Sequence, residues 1–338
     1  MRWFLLAALL APAAVAAPGD TLRTLSRRFV ETPSPAARDA LEAFAAEQKG
    51  SPEGALANLV LGIADYQEKR FPEAVQELTA ASERPTDLTD YAVYYRALAE
   101  SGAGDYAGGS WRVANFAQRF PTSPWIELAA RHRVDSLSMA GKAREALALL
   151  PPAPKTAAEW ALAAQVAERA GEKARAAQAW QHIYYEFPTA RDEPAAKAAL
   201  ASLRAALGAK YPGAPAALRL TRPDRLFAAG RYGAARIEYR SLSISLQGLP
   251  REQAAIRLGA CDYHLKADLR AYRWLKTLAV GQPEAQAERL YYLAACARRL
   301  KKVSEFTGLV EQLGREFAGS RWHEEALFSA GNHYLLED

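Results

Sequence analysis

The chain has 338 residues, half of them apolar, and a formal net charge of +5 at neutral pH. This is ample for a substantial core, and basic residues interspersed with acidic ones exclude the clustered Lys and Arg of a nucleic-acid binder. The surplus allows only a mild, non-specific attraction to anionic cell-wall polymer or lipid headgroups.

At the start, Met1-Arg2-Trp3 gives a short positive segment, residues 4–10 an apolar run, and Ala14-Val15-Ala16 a small-x-small cleavage site. Residues 1–16 are read as a secretory signal peptide. Pro12 breaks an apolar run already shorter than the roughly 20 residues that span a bilayer, and no Cys near the cleavage site could accept a lipid. The expected product is soluble and periplasmic, with no membrane anchor after cleavage.

Residues 17–54 read as an N-terminal helical segment, with helices over 22–29 and 36–48. A first arc of helical hairpin repeats then covers 55–209. It pairs 55–69 with 72–81, 90–101 with 106–119, the two halves of 125–150, and 157–170 with 174–186, and it ends in a helix over 194–209. Residues 210–222 form a Pro/Gly-rich break, Lys210-Tyr211-Pro212-Gly213-Ala214-Pro215 followed by Arg222-Pro223. It marks either a change of superhelix direction or a domain boundary. A second arc over 223–338 centres first on Gly230-Arg231-Tyr232, then pairs 252–266 with 269–280 and 284–300 with 303–317. It ends mid-repeat in a helix over 324–336. Ala326, Leu327, Ala330, Tyr334 and Leu335 would lie there on an uncovered face, so either a longer polypeptide or a partner is expected to cover it.

Aligning Leu61-Gly62 with Leu258-Gly259 places Ala74 or Ala271 twelve positions on and Leu78 or Leu275 four further. That spacing is the skeleton of the tetratricopeptide repeat, in which small residues let two antiparallel helices approach and a large side chain fills the space between them. The fold class is therefore all-α: an α-solenoid, a right-handed superhelix of tetratricopeptide-like hairpins.

Aromatic residues supply the candidate groove. Tyr66, Tyr94, Tyr263 and Tyr291 fall on first helices, and a Tyr ring can stack on sugar or apolar surface while its hydroxyl stays wet. Arg298, on the helix of Tyr291, could add a contact to a carboxylate. The competing reading is that these rings pack between successive hairpins.

No catalytic, metal-binding or cofactor-binding residue is assigned. Gly102, Gly104, Gly108 and Gly109 lack the strand and spacing of a dinucleotide loop. His323-Glu324-Glu325 begins like a zinc-protease helix, but position 327 is Leu, and His132, His182, His264 and His333 are scattered. Cys261 and Cys296 sit in adjacent repeats, where helices about 8–10 Å apart exceed the roughly 7 Å Cα limit of a disulfide; two buried, inert thiols are expected.

The signal, the Leu88-Thr89-Asp90-Tyr91-Ala92-Val93-Tyr94-Tyr95 stretch, repeats closing in Phe120-Pro121-Thr122-Ser123-Pro124 and Phe187-Pro188, and the late Ala326-Leu327-Phe328-Ser329-Ala330-Gly331 helix together resemble the superhelical region of soluble lytic murein transglycosylases. The resemblance implies a non-catalytic scaffold preceding a C-terminal lysozyme-like domain that cleaves peptidoglycan. The catalytic Glu-Ser signature has its only local echo at Glu100-Ser101, in a hairpin turn without the segment that should follow, so no active-site residue carries over. Two functions remain: the peptidoglycan-binding scaffold of such an enzyme, or a stand-alone periplasmic adaptor for an envelope protein or peptide.

Overall fold

The computed structural model describes residues 18–337; the signal peptide expected over 1–16 lies outside them. Every regular element among the described residues is helical. A leading pair, α1 (Pro18–Glu31) and α2 (Pro35–Glu47), precedes the hairpins α3 (Pro52–Gln67) with α4 (Phe71–Glu83), α5 (Thr89–Gly102) with α6 (Tyr106–Arg112) and α7 (Phe116–Arg119), and α8 (Ile126–Met139) with α9 (Ala143–Leu149). There follow α10 (Ala157–Arg169) with α11 (Lys173–Glu186), a lone α12 (Glu193–Leu207), α13 (Ala216–Ala228) with α14 (Tyr232–Ser245), α15 (Gly248–His264) with α16 (Asp268–Thr277), α17 (Pro283–Arg299) with α18 (Val303–Glu316), and finally α19 (Arg321–Glu337). The chain divides into two compact units, Met1–Ala153 with Gln165–Glu172, and Pro154–Ala164 with Lys173–Asp338. Within each unit the hairpins make an α-solenoid.

Local chemistry starts several helices. The Ser34 and Ser51 hydroxyls accept from the backbone N–H groups of Ala37 and Gly54, and Pro35 and Pro52 occupy first-turn positions whose N–H would have no partner.

The first helices end in one shared way. Backbone carbonyls of Asp65, Glu100, Leu137, Ala167, Leu226, Asp262 and Ala297 each accept from the N–H five residues downstream at 2.8–2.9 Å. The residue before that donor has positive φ: Lys69, Gly104, Gly141, Gly171, Gly230, Lys266 and Lys301. This is the Schellman turn, which satisfies the last carbonyls and reverses the chain within a few residues. Consecutive turn residues lie 30 to 37 positions apart, except Gly171 and Gly230, which are 59 apart because α12 is inserted between them.

Small residues set the approach of the paired helices. A Cβ at Gly62 would lie 2.6 Å from the Leu78 side chain, and one at Gly259 2.7 Å from Leu275; both leucines are fully buried, as are Ala74 and Ala271.

Two expectations change. The interruption over 210–222 contracts to 211–215, because a 3₁₀ turn over Gly208–Lys210 follows α12 and α13 begins at Ala216. Pro223 does not break that helix: with Leu220 and Leu226 it forms the buried stripe of α13, so packing offsets the hydrogen bond its missing N–H removes. On α19, Ala326 is buried and Ala330 packs against the core of α17 and α18, whereas Leu327, Leu335 and the neighbouring Phe328 are exposed. The Tyr334 side chain lies outside the described residues.

Buried carboxylates tie neighbouring hairpins together. Asp65 on α3 is fully buried and accepts from Arg38 of α2 through two bonds of 2.8 Å and from Arg70 at the start of α4. Asp262 on α15 plays the same part, accepting from Arg236 of α14 at 2.5 Å and Arg270 of α16 at 2.7 Å. Burial pushes the Asp262 carboxyl up, but the bonds from Arg270 and Arg236 outweigh it and hold the group below the usual carboxylate range.

Replacing Lys301 by Gly relieves a left-handed side chain and should raise stability by about 0.5–1 kcal/mol in urea unfolding. Gly259→Ala should instead lower it by about 1–3 kcal/mol, because overpacking against Leu275 exceeds the gain of roughly 1 kcal/mol in helix propensity. Asp262→Asn should cost about 1–3 kcal/mol at neutral pH, since both arginines keep some solvent. The carboxylate contributes stability above its unfolded value, so that deficit should shrink as pH falls below about 4.

Candidate functional site

The candidate tyrosines gather in two equivalent four-ring boxes, one in each unit. In the first, Tyr66 meets Tyr95 with centroids 5.7 Å apart, Tyr95 meets Tyr94 at 5.7 Å, and Tyr94 stacks on Trp125 at 4.8 Å. In the second, Tyr263 meets Tyr292 at 5.9 Å, Tyr292 meets Tyr291 at 5.0 Å, and Tyr291 meets Trp322 at 5.2 Å. Tyr94 and Tyr263 are buried, Tyr66 and Tyr291 half-buried, and burial pushes the phenols of Tyr66, Tyr94 and Tyr291 up. Arg299 caps the Tyr263 ring, its guanidinium carbon 3.6 Å from the centroid. Arg298 is half-buried, with Nε lacking a hydrogen-bond partner. These rings chiefly pack between hairpins.

The boxes share one frame. Tyr66 and Tyr263, Tyr94 and Tyr291, Tyr95 and Tyr292, and Trp125 and Trp322 are each 197 residues apart. The same offset relates Gly62 to Gly259, Asp65 to Asp262, Lys69 to Lys266, and Leu78 to Leu275. Both tryptophans follow Phe-x-x-Ser-x, and in each case the Ser N–H donates to the Phe carbonyl, at 3.1 Å for Ser123 and 2.9 Å for Ser320.

Beside the second box the frame opens into a cleft of about 630 Å³. Its walls are Gln253 and Arg257 of α15, the first turns of α17 through Glu288, and the 317–320 loop with Arg321 and Trp322 of α19. Arg257 donates to Asp224, which also accepts from the Tyr239 hydroxyl at 2.5 Å, and to Glu288 at 3.4 Å. Burial raises the Glu288 carboxyl above its usual range, opposed by Arg257 and Arg321. The Arg321 guanidinium lies 4.2 Å from the Trp322 ring centroid and is exposed.

Three charges of this cleft are not part of the shared frame. At the 197-residue offset, Arg257 corresponds to Val60, Glu288 to Tyr91, and Arg321 to Pro124. Val60 is buried core, and Tyr91 sits edge-on to Trp125 at 5.2 Å. The second unit therefore holds an ion pair and a stacked guanidinium where the first holds apolar contacts.

Other residues considered from the sequence have structural surroundings. Glu100 is buried between Arg96 at 2.9 Å and Arg112 at 2.7 Å, and the Ser101 hydroxyl bonds Ser136 and the His132 ring. Burial lowers the His132 pKa, so this imidazole is neutral at pH 7. Gly102 packs against the Phe71 ring, Gly109 against Ser101, and Gly104 forms the turn. Cys261 and Cys296 are unbridged and buried, which pushes both thiols up to about 12. Among the described residues, no group of three His, Cys, Asp or Glu is placed to hold a metal ion, and no helix is long and apolar enough to cross a membrane.

Arg257, Glu288, Arg321 and Trp322 escaped the sequence analysis. The Phe-x-x-Ser-x-Trp echo could have exposed Trp322; the Arg257–Glu288 pair, 31 residues apart on two helices, has no local signal.

No family model and no curated protein matches the chain. Among solved structures it is similar to the crystal structure of the P58(IPK) TPR domain, with 13% identity and a TM-score of 0.31 over 95% of this chain and 90% of that one. It is also similar to Naa15/Naa10 bound to HypK-THB, with 12% identity and a TM-score of 0.27 over 91% of this chain and 65% of that one.

Because burial favours the protonated Glu288 carboxyl, the native state should lose stability as pH rises from about 4.3 through the raised folded value. Glu288→Gln removes that loss. Urea unfolding at several pH values should show the variant gaining on the native protein with rising pH; a constant difference would contradict a raised carboxyl.

Proposed function

We propose that the chain is a non-catalytic binding scaffold for a protein or peptide partner, and that the charged cleft of the second unit is its docking site. One observation carries this reading. The same packing frame is built in the first unit with Val60, Tyr91 and Pro124, so hairpin packing does not require Arg257, Glu288 and Arg321. Taking charges partly out of water costs several kcal/mol per ion before pairing repays it, and a partner gives that arrangement a use. A cleft offering both charge signs beside a Trp ring fits an extended segment with mixed charges and an apolar anchor. Hairpin arrays recognise partners through such surfaces.

A finer form of the reading makes this the superhelical region of a periplasmic peptidoglycan lytic transglycosylase whose lysozyme-like domain is separate from the residues described. It is supported by the signal-like residues 1–16 and the sequence resemblance set out above. The alternative is a stand-alone periplasmic adaptor.

On an array of immobilised peptides about twelve residues long, the protein should retain mixed-charge sequences, and Arg321→Ala with Glu284→Ala, the latter on the cleft wall in the first turn of α17, should weaken retention at least about tenfold while leaving thermal unfolding unchanged, both side chains being exposed. Equal retention by protein and variant would remove the docking site. With isolated sacculi, the finer form expects the chain to sediment with the wall and release no anhydro-muropeptides; a chain left in the supernatant favours the adaptor.

A further inference from the structure

The inserted helix α12 and the Pro/Gly-rich turn after it create a second cleft in the same unit, of about 390 Å³. Tyr184 and Tyr185 in the last turn of α11 form one wall, their rings 5.0 Å apart and nearly perpendicular. Lys197, Ala201 and Arg204 form the other, spaced four and three residues apart and therefore on one face of α12. Tyr211 closes the end. Its hydroxyl accepts from the buried Gln181 amide at 3.2 Å, and the same amide donates to the Pro212 carbonyl at 2.7 Å, so the turn is tied back onto α11 and this wall is held in place.

The charge in this cleft is one-sided. Its lining contains no acidic residue. Arg222, 3.9 Å from the Tyr184 ring centroid, is neutralised by Glu193 and Glu238. Lys197 and Arg204 have no carboxylate partner among the described residues, and Arg204 instead lies 4.9 Å from the Tyr211 ring centroid. A guanidinium stacked on a ring keeps its planar fork of donors free for an oxyanion.

We propose that this cleft binds a small organic anion, a ring bearing a carboxylate or phosphate, whose acidic group sits on Arg204 and Lys197 and whose ring sits among Tyr184, Tyr185 and Tyr211. The volume falls at the lower end of small-molecule sites, which run from about 300 to 1,000 Å³, and is too small for a folded partner. The tyrosines recognise the ring and the cations the anion, so neither half of the ligand suffices alone. This site is separate from the docking cleft around Arg257.

Phenyl phosphate tests it, with inorganic phosphate and benzyl alcohol carrying one half each. Calorimetric titration of the full chain should give saturable binding of phenyl phosphate at least about tenfold tighter than either half, weakening with added salt. Lys197→Gln combined with Arg204→Gln should weaken it by at least about tenfold with an unchanged unfolding midpoint, and Arg321→Ala should leave it intact. Failure to saturate by about 10 mM, or equal affinity in the double variant, would overturn the proposal. Loss of peptide binding at the other cleft would not touch it.

Discussion

A helix that must turn back on itself has to satisfy its last carbonyls within a few residues, and this chain meets that constraint with one hydrogen bond repeated along its length. The N–H of Arg70 reaches the carbonyl of Asp65, and the same five-residue step closes the helices that end near Gly104, Gly141, Gly171, Gly230, Lys266 and Lys301. Each closure fixes the direction of the next helix. Leu78 or Leu275 can then face Gly62 or Gly259 at a separation that leaves no room for a Cβ. Hairpin packing, aromatic boxes and clefts all follow from chain reversals placed in register.

Much of that architecture is legible in the residues. Small side chains recurring about every 35 positions mark the hairpins, and Gly104, Gly141, Gly171 and Gly230 mark their turns. Lys69, Lys266 and Lys301 occupy the same left-handed position with nothing local to announce it, since Lys is ordinary in a helix and uncommon there. Pro223 misleads in the opposite direction, because a proline signals a helix end unless its ring joins a buried stripe, and only the packing of Leu220 and Leu226 reveals that it does. The tyrosines are recognisable as a set, yet whether a ring lines a groove or fills a seam depends on their helix neighbours Tyr95 and Tyr292 and on Trp125 and Trp322, which the following repeats bring in. The charged pair of Arg257 and Glu288 is set by tertiary geometry alone.

Buried charge in this protein has two characters. Asp65 and Asp262 occupy matching positions, but their arginines do not: Arg38 and Arg70 serve the first, Arg236 and Arg270 the second. Offset by 197, Arg38 would fall at 235 and Arg70 at Ala267. The carboxylate is thus the fixed point, and a long flexible side chain reaches it from whichever nearby turn offers one. That is the behaviour of a structural tie. Glu288 differs: its own frame position takes a tyrosine in the other unit, and its burial disfavours the charge it carries.

Two tracts built on one frame within a single polypeptide raise the question of assembly fidelity. Hairpins with equal turns, equal glycine notches and equal rings could in principle dock on each other's neighbours while the chain collapses. The mismatch at three positions opposes such an exchange: an Arg257 delivered against Tyr91 would meet no carboxylate, and a Glu288 delivered against Val60 no cation. An unpaired charge held from water is among the costliest errors a folding intermediate can make. The side chains that distinguish the cleft therefore also label which half of the polypeptide each hairpin belongs to.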